Sequence, residues 1–219
     1  MRPIPELRGL KFPDDYVVRH FFKRGLQTRP GRVLELGCGV GNNLSLYRAY
    51  GWQVTGIDYD AAALDDARWN LEDEATLAQA DLSQGLPPLT GTFDTLIIPN
   101  MLCYLRTEAA FALMEAVADV MAPDADIFIR TRLMDDHRYG RGREVEPHGF
   151  ILDTPETGEA GLFNSFFSEA GLVEFLSMSL GLGEHETLTV RFDNVQAGTK
   201  VRNSDVVVWG KLVRDGAGR

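Results

Sequence analysis

The sequence predicts an α/β fold: a mostly parallel sheet with helices on both faces, an antiparallel C-terminal edge and a short N-terminal helix. Three observations predict it. A short apolar strand at residues 33–36 breaks into glycines spaced two apart and then into a helical stretch. Apolar runs then alternate with helical patterns up to residue 131, the signature of successive βαβ units. Beyond residue 170 apolar and polar positions alternate instead, the period of half-buried antiparallel strands.

The elements follow in order. Residues 14–26 read as an amphipathic helix, with Val18, Phe21, Phe22 and Leu26 on one stripe and Tyr16, Arg19, His20 and Lys23 on another face. The first strand ends at Glu35-Leu36 and turns through Gly37, Cys38, Gly39, Val40 and Gly41 into Asn42-Asn43. Glycines there allow a sharp turn and close approach of backbone to a ligand, and the next helix aims its free N–H groups at the same spot. Residues 52–57 form a second buried strand ending at Asp58, 17 positions beyond Gly41. That spacing suits a carboxylate gripping ribose hydroxyls; Asp58 equally suits capping a helix that starts near Asp60. Residues 75–80 form a third strand closing on Asp81-Leu82, where Asp81 also suits an ordinary turn or cap. The fourth strand, 93–98, runs into Pro99-Asn100-Met101. Thr107 opens a helix with an Ala110, Leu113, Met114, Val117 stripe, and residues 125–131 are the fifth strand. A helix over 155–170, stopped by Gly171, and strands over 173–178, 188–192 and 206–212 complete the reading.

The pattern Glu-x-Gly-x-Gly-x-Gly at residues 35–41 carries Asn42 where a dinucleotide fingerprint needs its third glycine. With the acids that follow the second and third strands, it resembles the class I S-adenosylmethionine-dependent methyltransferases over residues 14–131. The resemblance implies a Rossmann-like seven-stranded sheet, a methyl-transfer activity, and S-adenosylmethionine as donor with S-adenosylhomocysteine as product. It implies that Glu35 and the Gly37 carbonyl sit near the donor's amino group and that Asp58 meets the ribose. Asp81 would accept from the adenine amino group, with the Leu82 N–H on the ring. Asn100 and Met101 would meet methyl donor and substrate, and Tyr16 or Arg19 the donor's carboxylate. Cys38, Gly39, Asn42 and Tyr59 complete the implied donor-binding set. Organisation follows as one domain: residues 1–30 a helical cover, 31–131 the donor-binding core, 132–149 a substrate or lid loop, and 150–219 a C-terminal helix with antiparallel strands.

Composition narrows the function classes. A hydrophobic fraction of 44% and a charged fraction of 25% describe an ordinary globular chain of 219 residues. No apolar run is long enough to span a bilayer, and the start lacks the apolar region of a signal peptide. Cys38 and Cys103 make no disulfide framework, and neither they nor the histidines have metal-ligand spacing, so a cytoplasmic protein without metal is expected. The net charge of −10 argues against nucleic acid as a partner; a small-molecule acceptor and no membrane are expected, and a homodimer is compatible. The charge is uneven: residues 2–32 hold eight Lys/Arg against three Asp/Glu.

The segment 132–149 leaves the carboxyl end of the fifth strand, where open α/β sheets bind ligands. Its Arg132, Arg138, Arg141 and Arg143 suggest capture of an anionic or sugar-derived acceptor, although neighbouring acids could pair with them. O- or N-methylation by in-line displacement needs alignment and sometimes a base. His148 is the first candidate, with His137, Tyr104 and His185 behind it, and His20 is expected near the donor. Two alternatives stand beside methyl transfer. One is an NAD-dependent oxidoreductase, against which Asn42 and the lack of a Tyr-x-x-x-Lys pair count; the other is a catalytically idle donor-binding domain acting through a protein partner.

Overall fold

A computed structural model describes residues 2–213. Strands β1 (Arg32–Leu36), β2 (Gln53–Asp58), β3 (Thr76–Gln79), β4 (Phe93–Pro99) and β5 (Met121–Arg132) form the parallel body. Strands β9 (Leu182–Gln196) and β10 (Thr199–Leu212) complete a seven-stranded sheet of order β3-β2-β1-β4-β5-β10-β9. β10 lies antiparallel to both β5 and β9, so the last hairpin inserts its second strand next to the parallel body. Among the described residues no helix is long and apolar enough to cross a membrane.

Side-chain alternation along the strands builds two apolar layers. Leu34 and Leu36 face α4 (Thr107–Val120) and α5 (Glu169–Ser179) through Leu113, Val117, Leu172 and Leu176. Val33 faces the other layer, where α1 (Asp15–Lys23), α2 (Asn42–Ala49) and α3 (Ala61–Asn70) contribute Phe21, Leu44, Tyr47 and Leu64. The same alternation turns Glu35 toward α2. α1 begins at an Asp14 cap whose side chain accepts from the Tyr16 and Val17 amides, as the sequence pattern requires.

Three expectations fail in the second half. The segment 132–149 is not an irregular loop: β6 (Gly142–Glu146), β7 (Gly149–Leu152) and β8 (Phe163–Ser165) form a three-stranded antiparallel sheet around Phe150, Leu152 and Phe166. Gly142, at φ +117°, makes this possible, because a Cβ there would run into the Ile151 carbonyl oxygen. The helix expected over 155–170 is only a 3-10 turn, Pro155–Thr157, since Gly158 and Gly161 both take left-handed conformations. The strand expected over 173–178 lies inside α5. Leu172 and Leu176, one helical turn apart, bury against the sheet, and that tertiary contact overrides the local alternation. The new sheet is tied to the body by Glu146, whose carboxylate accepts from the Thr107 amide and hydroxyl at 2.8 and 2.9 Å and so caps α4.

Candidate active site

A cavity of about 610 Å³ opens at the carboxyl ends of β1, β2, β3 and β4, large enough for a nucleoside-sized ligand. Its wall takes Gly37 from the first glycine turn, Asp58 and Tyr59 from the end of β2, Asp81 and Leu82 after β3, and Asn100 and Met101 after β4. Tyr104, Leu105, Leu162 and Phe163 complete the wall on the side of the small sheet.

The glycine turn is held by β2. The Gly37 and Cys38 amides donate to the Ile57 carbonyl, and the Gly39 amide donates to Asp58 Oδ2 at 2.8 Å. Asp58 Oδ1 accepts from the Asp60 amide at 3.0 Å, so one carboxylate fixes the loops of two strands and still borders the cavity. Gly37 lies at φ +73°, and an added Cβ would sit 2.8 Å from Met101 Cβ and Cγ. Gly37→Ala is therefore expected to cost about 1–3 kcal/mol through left-handed strain alone and to narrow the cavity at Met101. Thermal melts with and without S-adenosylhomocysteine measure both effects; an unchanged melt with an unchanged ligand-induced rise contradicts the assignment.

Asp81 caps the 3-10 turn Leu82–Gln84 by accepting from the Ser83 amide at 2.9 Å, and those hydrogen bonds hold its carboxyl below the usual range. It is both a cap and part of the cavity wall. Asn100 adopts φ +59° and donates its amide to the Arg130 carbonyl, which exposes the turn to the cavity. Tyr59 is 76% exposed at the rim, an open aromatic face beside Asp58.

Other residues of the expected donor set stand behind the wall. Glu35 is fully buried; its Oε1 accepts from Asn43 Nδ2 at 2.7 Å while Oε2 has no partner. Asn43 Oδ1 in turn accepts the Asp14 amide, and Asn42 Nδ2 donates to the Phe12 carbonyl. Asn70 Nδ2 bridges the Arg8 and Val40 carbonyls. Three asparagines thus clamp the N-terminal segment over the glycine turn, a role the sequence reading missed. The Cys38 thiol packs under Gly56 and Leu44, away from the cavity. Tyr16 and Arg19 lie on α1, with the Tyr16 ring 5.3 Å from the Arg130 guanidinium; Arg130 bridges Asp14 and Asp205. None of these five positions (Glu35, Cys38, Asn42, Tyr16 and Arg19) lines the cavity.

Burial pushes Glu35 up to about 8, with Asp58 and Asp14 adding to the rise and the Asn43 hydrogen bond opposing it. The folded chain then keeps a proton that the unfolded chain has lost above about 4.5. The Glu35 contribution to stability is full below that value and disappears as pH rises through 8. Glu35→Gln keeps the Oε1 acceptor and removes the titration. Melting temperatures measured from pH 5 to pH 9 are expected to fall less steeply in Glu35→Gln than in the native chain; parallel curves contradict this.

The base and anion-binding expectations need correction. His148 is exposed in the turn before Gly149, at φ +60°, with Nδ1 2.9 Å from the Tyr139 hydroxyl. His137 Nε2 lies 2.6 Å from Glu156 Oε1, His185 is exposed on β9, and none of the three borders the cavity. His20 is buried between Phe128 and Trp209, burial pushes it down to about 3, and it does not border the cavity. Arg138 is buried and donates to both Glu159 and Asp136; Arg132 donates to Glu159 Oε1 at 2.7 Å and to Asn164. A buried guanidinium needs such partners to offset its desolvation, so these two arginines are not free for an acceptor. Arg141 and Arg143 are exposed outside the cavity.

Tyr104 alone of the expected catalytic residues borders the cavity. Its hydroxyl donates to Glu159 Oε1 at 2.9 Å and lies 3.4 Å from Arg132 Nη2. Burial pushes the phenol well up, with Cys103 adding to the rise. Burial also pushes Glu159 up, but Arg132 and Arg138 outweigh it and hold the carboxylate below its usual range. Glu159, Leu162 and Phe163 were not foreseen; they follow β7 in a stretch read as helix, and the small sheet brings Leu162 and Phe163 to the cavity and Glu159 to the Tyr104 hydroxyl behind it.

Comparison with known proteins agrees with this geometry. A family model described as a methyltransferase domain matches residues 33–124. Among curated proteins, the chain is 35% identical over 71 residues to the 18S rRNA (guanine-N(7))-methyltransferase of Bos taurus. That match covers 32% of this chain, which spans a quarter of the length of the relative. A SAM-dependent methyltransferase from Methanosarcina mazei has the same fold at a TM-score of 0.65 and 21% identity, over 84% of this chain and 93% of the other. The 1,6-didemethyltoxoflavin-N1-methyltransferase of Burkholderia thailandensis, solved with its substrate and S-adenosylhomocysteine, matches at a TM-score of 0.61 and 16% identity, over 92% and 80% of the two chains. The cattle relative, named for action on rRNA, overturns the expectation that nucleic acid is no partner. A net charge of −10 sums the whole chain and is blind to a local excess such as the eight Lys/Arg against three Asp/Glu of residues 2–32. Residues 33–124 carry the methyltransferase-domain match, and the glycine turn, the acids after β2 and β3 and the strand order with its antiparallel β10 give the chain the fold of the S-adenosylmethionine-dependent methyltransferases it resembles.

Proposed function

We propose that the chain methylates a small acceptor with a flat apolar body, at nitrogen or oxygen. The observation that carries this reading is a single cavity in which the donor-side residues Gly37, Asp58, Asp81 and Met101 continue into a wall of Tyr104, Leu105, Leu162 and Phe163. The residues present suit the donor: Gly37 leaves no side chain between backbone and cavity, and Asp58 keeps lone pairs free beyond its two amide bonds. In this reading Asp58 takes the ribose hydroxyls and Tyr59 offers its face to the base. Asp81 with the Leu82 amide meets the adenine edge, and Asn100 and Met101 flank the methyl group.

When bound, the donor supplies an electrophilic methyl on a sulfonium, which passes to an acceptor lone pair as the sulfur recovers its bonding pair. The chain's own part is alignment and exclusion of water, for which good orientation supplies about 7–11 kcal/mol. No side chain on the acceptor wall or directly behind it is tuned as a base: the Tyr104 phenol is held protonated by burial, and Glu159 behind it is bound by two arginines. The acceptor therefore brings a lone pair that is nucleophilic at neutral pH, and its proton leaves to water. The anionic acceptor suggested by the arginine cluster loses its support, because Arg132 and Arg138 are already paired.

A second reading is favoured by the cattle relative: a guanine of RNA as the flat acceptor. Incubation with methyl-labelled S-adenosylmethionine separates the two. Label in low-molecular-weight heteroaromatic amines or phenols supports the first reading, label in purified rRNA alone supports the second, and binding without transfer to either leaves an idle donor-binding domain.

A further inference from the structure

On the wall formed by Tyr104, Leu105, Leu162 and Phe163 the phenol is the sole polar side-chain group, and its direction is fixed from behind. Glu159 Oε1 accepts the Tyr104 hydroxyl at 2.9 Å. The same carboxylate is held by Arg132 at 2.7 Å on Oε1 and by Arg138 on Oε2, and Arg138 is held in turn by Asp136 at 2.9 Å. An ionised carboxylate can only accept, so the Tyr104 proton points at Glu159 and the phenol oxygen presents lone pairs. Arg132 Nη2 approaches one of them at a long 3.4 Å. The ring itself is backed by the Arg132 guanidinium at 5.5 Å, and the Phe163 ring by that of Arg106 at 5.1 Å, which stiffens two aromatic faces of the cavity.

Resting on the methyl-transfer reading, we propose that Glu159 is a positioning residue that makes Tyr104 a hydrogen-bond acceptor toward the cavity, and so selects acceptors carrying an N–H or O–H on a flat apolar ring. A ring that offers a donor pairs with the phenol oxygen. A ring of the same shape without one covers the remaining lone pair of that oxygen without giving it a donor, which lowers its affinity.

The test uses the full chain saturated with S-adenosylhomocysteine and a matched pair of probes, indole and benzofuran, which share a shape but differ in the N–H. Titration followed by ligand-observed NMR is expected to give indole a roughly five- to tenfold advantage, the worth of one hydrogen bond. In Tyr104→Phe the ratio falls to near one. In Glu159→Gln, whose amide can donate to the phenol oxygen, it shrinks. S-adenosylhomocysteine binding in each variant, measured on the same samples, reports that the chain is folded, and Tyr104→Phe decides the matter if Glu159→Gln does not fold. Equal binding of the two probes, an advantage that survives Tyr104→Phe, or failure of both probes to bind the loaded chain overturns the proposal. A native chain that takes up no S-adenosylhomocysteine overturns the donor reading beneath it.

Discussion

Asp58→Ala is expected to lower affinity for S-adenosylhomocysteine about 100-fold, near 2.7 kcal/mol. Three losses combine. The Gly39 amide loses its acceptor at 2.8 Å, the Asp60 amide loses its acceptor at 3.0 Å, and the cavity loses the carboxylate placed for ribose hydroxyls. Hydrogen bonds to a charged group contribute about 1.5–3 kcal/mol each, and the first of these also shapes the glycine turn. Asp58→Asn is the informative companion. Its amide can satisfy one backbone N–H but turns its own donor toward the other, so a loss between native and Asp58→Ala is expected by calorimetry. Native affinity in Asp58→Ala would mean that the ligand does not touch this edge of the cavity.

Glu159→Ala is expected to be the most destabilising of the substitutions considered, by about 3–5 kcal/mol. It leaves the guanidinium groups of Arg132 and Arg138 in a nearly buried position without their shared counter-charge, and Arg138 keeps only Asp136 as an ionic partner among the contacts described. For a chain of this size that corresponds to a fall in melting temperature on the order of 10 °C. Pairing the loss with Arg132→Met tests the cause: Glu159 is the ionic partner described for Arg132, so removing both charges is expected to recover part of the stability, because the apolar replacement needs no counter-charge. A Glu159→Ala melt within a degree or two of native would show that the network is not buried as described.

Much of the donor half was legible in the sequence because it is local. A strand that must turn sharply needs Gly37, Gly39 and Gly41 in order, and all three adopt positive φ. Asp58 and Asp81 sit at strand ends that their own apolar runs announce, and Asp81 does both things its position allowed, capping the next turn while facing the cavity. The mostly parallel sheet with its antiparallel C-terminal edge followed from alternating β and α patterns and from the alternating tail. The acceptor half was not legible because it is made by long-range packing. Glu159 lies 27 positions from Arg132 and 55 from Tyr104, and nothing in its neighbourhood marks it as the shared partner of two arginines. The run of arginines read as anion capture because pairing across a sheet leaves no local trace. Glu35 and Asn42 sat in the right motif yet turned to hold Asn43 and Phe12, since strand alternation and the helix start decide which way a side chain points.

In the proposed function the cavity between Gly37, Asp58 and Met101 holds the methyl donor. Amide-resolved NMR of the native chain titrated with S-adenosylhomocysteine tests it directly. Saturable shifts are predicted at Gly37, Gly39, Tyr59, Leu82 and Met101, with residues at the far ends of the strands, such as Gln53 and Thr76, unmoved. Saturable binding that leaves those five amides in place, or no binding at all, would contradict it.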